Sequence, residues 1–241
     1  MHVWCSQRGL LDPKEYHSLA HCAWAGKPLE RDALRFYNAT HMRLILASNS
    51  PRRKELLRNT GFDFEVRPSG VEEGPPNPGE TPEEFARRNA RAKALSVAVN
   101  LPAGNLVLGA DTVVTINGSI LGKPRGPYDA TRMLRLLSGQ THQVITGICL
   151  VKAPGDIEAL KHEVTFVTFV ELSEDEIRGY IASQEPYDKA GGYAIQGFAS
   201  RWVTRISGCY FNVVGLPISL LWDMLKNFPK PTAGSQNSSG V

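Results

Sequence analysis

The stretch from Arg43 to Arg53 constrains this chain more than any other. An apolar run, Leu44-Ile45-Leu46-Ala47, gives way to Ser48-Asn49-Ser50 and then to Pro51-Arg52-Arg53. The run reads as a buried strand, and the polar triplet as the turn into a helix. Ser50 suits the N-cap, and Pro51 suits the first helical position, where its missing N–H costs nothing. Arg52 and Arg53 then break a local rule, because the first turn of a helix disfavours cations. Free backbone N–H groups, two guanidinium forks and serine hydroxyls would crowd one spot, which is how a protein holds an oligophosphate. The plainer alternative is a pair of solvated arginines on a surface helix, since local inconsistency by itself only suggests function.

Downstream, the first helix stops at Gly61, and residues 62–66 alternate as a strand. The loop at 74–79 is too rich in proline and glycine for helix or inner strand. Thr81-Pro82-Glu83-Glu84 is a capping box that starts a helix to about Val99. Ala86, Ala90, Ala94 and Val97 form its apolar face, with Phe85, Asn89 and Lys93 in the row beside it. Lys93 can therefore face a site, although a surface lysine is the commoner outcome. Residues 106–110 read as a central strand that delivers Asp111 and Thr112 and continues to the hairpin signal Asn117-Gly118. An aspartate in so apolar a setting must be paired, bind metal or do chemistry, or else cap a turn. The segment 118–124 looks superficially like a P-loop, but it is one residue short and has Pro124 after Lys123 where Ser or Thr belongs. Lys123 still qualifies as a phosphate ligand.

A helix over 128–137, strands over 142–152 and 163–172, and a second capping box (Ser173 to Glu176) with a helix to Ser183 follow. The loop 185–197 carries an acid, a base, paired glycines and an amide. Closing strands are expected over 202–206 and 210–214, with a last helix over 217–227. Strands and helices joined by both hairpins and crossovers argue for an α/β fold on a mixed sheet.

A chain of 241 residues can bury a sizeable core, and a net charge of +3 is too mild to argue for nucleic acid or an anionic membrane. The four cysteines (Cys5, Cys22, Cys149, Cys209) form no framework, and no secretory or membrane-spanning pattern is visible, so a cytoplasmic setting is the default. Residues 1–41 differ in character and read as an accessory or spurious extension, with the functional domain over 42–228. His17, His21 and Cys22 make only an incomplete zinc set. Residues 229–241 read as a disordered tail.

Ser48-Asn49-Ser50-Pro51-Arg52-Arg53, Gly109-Ala110-Asp111-Thr112, Gly122-Lys123-Pro124, Asp188-Lys189-Ala190-Gly191 and Ile195-Gln196-Gly197 stand in order and at natural spacing. Together they resemble the Maf family of nucleoside triphosphate pyrophosphatases, over about residues 42–228. The resemblance implies an elongated mixed-sheet α/β domain around a central cleft, similar to the inosine triphosphatase fold (Maf/Ham1 type). It implies hydrolysis of a nucleoside triphosphate to the monophosphate and pyrophosphate, with Mg²⁺ or Mn²⁺. The motifs look like the branch acting on dTTP and UTP rather than the one preferring 7-methyl-GTP. By the same resemblance Asp111 is the proton acceptor, and Arg52, Thr112 and Gln196 set substrate choice. Glu73 matches an acidic metal ligand, although Glu72 precedes it where an aspartate is common, so which glutamate serves stays open. Lys93 matches a family lysine, and Asp188 and Lys189 join the substrate-binding set. A homodimer is usual for the family, but no stretch here demands one.

The residues fit that chemistry independently. Ser48 and Ser50 can bind phosphates, Arg52, Arg53, Lys93 and Lys123 can neutralise them, and a divalent cation held by oxygen ligands would add to that charge. Asp111 is then left to bind metal, to deprotonate water, or both. Thr112 and Gln196 can offer donors and acceptors to a base edge. Two rivals compete: the same reaction on 7-methyl-GTP or a damaged purine nucleotide, and a non-catalytic nucleotide sensor regulating division. A pure binder has no need of a base such as Asp111, which weighs against the sensor.

Overall fold

The structure, a computed structural model, describes residues 42–229. The readings made for residues 1–41, including His17, His21 and Cys22, and for the tail from 230 onward lie outside the described residues. A seven-stranded mixed sheet organises the rest, in the order β2-β1-β3-β5-β6-β7, with β4 paired to β3. The strands are β1 (Arg43–Leu46), β2 (Phe64–Val66), β3 (Asn105–Ile116), β4 (Ser119–Leu121), β5 (Thr141–Lys152), β6 (Ile157–Phe169) and β7 (Val203–Ser207). β1 runs parallel to β2 and β3, and every other pairing is antiparallel.

Among the described residues six α-helices pack around the sheet: α1 (Pro51–Asn59), α2 (Pro82–Ala98), α3 (Pro127–Leu137), α4 (Glu174–Ala182), α5 (Tyr210–Val214) and α6 (Ile218–Lys226). Both expected capping boxes form, at Thr81 with Glu84 and at Ser173 with Glu176. On one face Ala90, Ala94 and Val97 of α2 bury against Ile45, Val107, Cys149 and Val151. On the other face the core divides. Leu44, Leu46, Leu106, Leu108 and Ala110 pack with α1 and α6. Further along, Val114, Ile116, Val144 and Val167 pack with α3, α4, Tyr193 and Trp202. Thr112 stands between Ala110 and Val114 on the period-two face, at the seam of these two clusters.

The sheet itself also opens at that point. β1 ends with Leu46 opposite Leu108, whereas β4 joins β3 only from Val114. Residues 109–113 of β3 therefore have β5 on one side and no strand on the other. A long central strand with a gap beside it exposes both faces of its backbone to one cleft.

Two expectations need correction. Residues 210–214 form helix α5, not a strand. A short apolar run does not by itself distinguish the two, and here burial of a polar side chain decides. The helical turn sets Asn212 inside the core, where its Nδ2 donates to the Val144 carbonyl (2.9 Å) and to Thr165 Oγ1 (2.9 Å). Strand β6 begins at Ile157, six residues before the expected start, because β5 pairs with it along its whole length. Its outer part is rich in polar residues, which masked it.

Candidate active site

A cavity of about 1030 Å³ opens at the gap beside β3. Its walls come from the β1–α1 turn, from the segment around Glu73, from residues 111–114, from the turn at Lys123, from the 188–196 loop and from the α5–α6 junction. Every residue singled out from the sequence for binding or catalysis lines it: Ser48, Ser50, Arg52, Arg53, Glu73, Lys93, Asp111, Thr112, Lys123, Asp188, Lys189 and Gln196. Of the two glutamates, Glu73 lines the cavity and Glu72 is not among its lining residues.

Asp111 and Thr112 are neighbours on a strand and so point to opposite faces. Asp111 turns toward α2 and is 4% exposed. Its Oδ1 accepts from Lys93 Nζ at 2.6 Å, and its Oδ2 from Asn89 Nδ2 at 3.0 Å. Lys93, also buried, reaches Glu73 Oε1 at 2.5 Å with the same ammonium. The two carboxylates thus share one lysine. Burial, the largest influence, pushes Asp111 upward; Lys93 opposes it and Glu73 reinforces it, and the Asp111 carboxyl ends above its usual value. Burial also pushes Glu73 upward, but Lys93, with Lys123 and Arg53 behind it, outweighs burial and leaves Glu73 below its usual value. The two carboxylates are thus pushed apart in pKa, Glu73 below and Asp111 above its usual value.

Thr112 turns to the other face and meets α1. Arg53 is buried there: its Nε donates to the Gly215 carbonyl (2.8 Å), Nη1 to Ser48 Oγ (3.2 Å) and Nη2 to Thr112 Oγ1 (2.9 Å). Burial, the largest effect, lowers its basicity despite the pull of Asp111 and Glu73. Arg53 therefore ties three walls of the cleft together as well as placing charge in it. Ser50 acts as the expected N-cap, its hydroxyl accepting from Arg53 N at 3.5 Å. Arg52 is more open and lies 3.9 Å from Asp188 Oδ2 across the cleft. Lys189 Nζ is held by the Glu185 carbonyl (2.7 Å) and by Asp188 Oδ1 (2.5 Å). Lys123 and Gln196 are exposed on the rim.

The family model described as Maf-like protein matches residues 43–228, which takes in every wall of this cleft. The chain belongs to the Maf family. Relatives include proteins named dTTP/UTP pyrophosphatase from Koribacter versatilis, 50% identical over 77% of this chain and 94% of that one, and from Ruminiclostridium cellulolyticum, 48% identical over 76% and 94%. One from Pyrococcus furiosus is 47% identical over 76% and 94%. Among solved structures, a HAM1 protein from Coxiella burnetii is 18% identical, with a TM-score of 0.37 over 53% of this chain and 73% of that one, a likeness too slight to bear on fold or function.

Within this Maf domain the sequence reading missed three contributors. Asn89 was placed beside the apolar stripe but given no task, yet it is the second donor to Asp111. Gly109 and Gly147 let α2 lie against the strands: a β-carbon on Gly109 would come within 2.8 Å of the Ala94 backbone nitrogen, and one on Gly147 within 2.7 Å of the Arg87 nitrogen. A glycine inside an apolar strand is the signal that could have found them. Among the described residues no group of three or more His, Cys, Asp or Glu side chains is placed to hold a metal. No helix among the described residues is long and apolar enough to cross a membrane.

Proposed function

We propose that this cleft hydrolyses nucleoside triphosphates, dTTP and UTP foremost and modified pyrimidine nucleotides with them, to the monophosphate and pyrophosphate with a divalent cation. One observation carries the reading: a buried carboxylate, Asp111, shares the Lys93 ammonium with Glu73 in a cleft that also presents Arg52, Arg53, Lys123 and Lys189. A site that only bound phosphates would gain nothing from an enclosed anion there. The names of the relatives, at up to 50% identity, support the choice of dTTP and UTP.

The donor set fits Mg²⁺ or Mn²⁺. Glu73 and Asp111 converge from two sides on one point, now filled by the Lys93 ammonium, and both are hard oxygen ligands. A bound ion would neutralise phosphate charge and polarise the reacting centre. The chain's own groups do the rest. Arg52 and Lys123 draw in the triphosphate, and Ser48 and the start of α1 lie on the same wall. Asp111, held by Asn89, orients a water and takes its proton as the water oxygen bonds to the phosphorus that carries the leaving pyrophosphate. Lys93 meets the charge released there. Thr112 and Gln196 face the remainder of the nucleotide.

Pyrophosphate release from a panel of triphosphates, with Mg²⁺, Mn²⁺ or EDTA, tests this. Metal-dependent release fastest with dTTP and UTP is expected. Faster release from 7-methyl-GTP or a purine would overturn the base assignment, and tight binding without release would favour a sensor.

A further inference from the structure

The loop that carries Gln196 is pinned from behind by a pair of residues that the proposed chemistry does not use. His142, on β5, is 1% exposed, and its Nε2 lies 2.7 Å from the Tyr193 hydroxyl. The two rings meet edge to face at 5.4 Å, and His142 meets Phe169 likewise at 5.0 Å. Tyr193 also lines the proposed nucleotide cavity, three residues before Gln196. Other ties close the same loop. Gly191 N donates to the Gly122 carbonyl (3.0 Å), and Phe198 N to Glu185 Oε2 (3.2 Å), so both shoulders are fixed. Only the Tyr193–His142 bond anchors its middle to the sheet among the bonds just named.

That bond is an odd one to keep for stability alone. His142 Nδ1 is buried with no hydrogen-bond partner among the described residues. If the tyrosine donates to Nε2, Nδ1 carries an unmet proton; if Nε2–H donates to the tyrosine, Nδ1 leaves an unmet lone pair. Either tautomer carries a desolvation penalty that a phenylalanine in its place would not. A buried polar pair with that cost fixes geometry instead, since its bond has one length and one direction where an apolar contact has a range.

We propose that His142 is a positioning residue for base discrimination: through the Tyr193 hydroxyl it sets how deep the 193–196 wall stands, and so where Gln196 meets the nucleobase. The inference rests on the triphosphate reading above. It assigns His142 no contact with substrate.

The test compares His142→Phe, Tyr193→Phe, the double variant and His142→Gln with the parent, reading kcat and KM for dTTP, UTP and CTP and melting temperature. His142→Phe is expected to raise KM for dTTP and UTP about tenfold, with kcat within about threefold of the parent and the preference over CTP reduced to match. Tyr193→Phe should do the same, and the double variant should be no worse than the poorer single one, because one bond is lost in each. His142→Gln, which can still bond the hydroxyl, should recover part of the preference. Unchanged preference in both single variants, or a fall in melting temperature and kcat with the base ratios intact, would overturn the proposal. Dissociation constants for the same nucleotides separate this from failure of the function itself: a parent that binds dTTP over CTP without hydrolysing it removes the enzyme reading, and the variants' binding ratios still decide the role of His142.

Discussion

Gly109 lies directly beneath the carbonyl oxygen of Ala90, which a β-carbon at position 109 would overlap. Two residues further along β3 stands Asp111, paired with Gly147 of β5, and Gly147 in turn lies under Ala86. Helix α2 is thus seated on bare backbone at both ends of the stretch that presents Asn89 and Lys93 to Asp111. The contact that looks like packing is what sets the distances in the site.

Gly109→Ala should lift α2 from the sheet. Overpacking of this kind costs about 1–3 kcal/mol, and a shift of an ångström at Asp111 costs about a hundredfold in turnover. Denaturant unfolding and dTTP hydrolysis on the same preparation check both. A variant with lowered stability and parental turnover would separate helix seating from the site.

Asn89→Leu removes one of the two donors to Asp111 while keeping an apolar helix face. Leaving a buried carboxylate oxygen without its donor should cost about 1–3 kcal/mol of stability. The expected kinetic signature is a fall in kcat with KM for dTTP little changed, because Asn89 holds the acceptor and not the nucleotide. An increase confined to KM would contradict that placement.

Lys93→Met leaves Glu73 and Asp111 facing each other without their shared cation. Breaking a buried pair from one side costs about 3 kcal/mol or more, with Lys93 and Asp111 side chains only 10% and 6% exposed. Millimolar Mg²⁺ should then raise the melting temperature of the variant more than that of the parent, since an ion that binds the folded state stabilises it. EDTA should abolish the difference. Equal shifts in the two proteins would show that the carboxylate pair does not receive the ion.

The architecture was legible because its signals are local. The Ser50 cap with Pro51, both capping boxes and the Asn117-Gly118 hairpin each specify an element end without reference to the rest of the chain. The cleft residues were legible for other reasons: Arg52, Arg53 and Asp111 break the expectation of their local surroundings, whereas Lys123 and Gln196 stood out through the motifs that resemble the Maf family. What was hidden depends on contacts distant in sequence. Asn89 acquires its task only when β3, 22 residues on, supplies the carboxylate. Residues 210–214 are apolar enough for a strand, and only the burial of Asn212 against β5 and β6 makes them a helix. The outer part of β6 follows β5 rather than any pattern of its own. Lys93 was legible as a residue that can face a site, from its row on α2, but its pairing with Asp111 and Glu73 was not.

Buried His142 gives the fold a pH dependence of predictable sign. Burial pushes its pKa from 6.5 down to about 4, so between those values the unfolded chain binds the extra proton. Stability from this group is whole above about pH 6.5 and is lost as pH falls toward 4, a loss of about 3 kcal/mol. Urea unfolding at pH 7 and pH 4.5 should show a steeper decline in the parent than in His142→Gln. Parallel declines would place the acid sensitivity elsewhere.

The most direct test of the account is turnover of dTTP by Asp111→Asn with saturating Mg²⁺, alongside its melting temperature. Asparagine keeps the shape and a carbonyl oxygen for Lys93 but cannot accept a proton from water. The account predicts a folded protein that still binds dTTP and has lost at least about a hundredfold in kcat. A folded variant that releases pyrophosphate at the parental rate would contradict it.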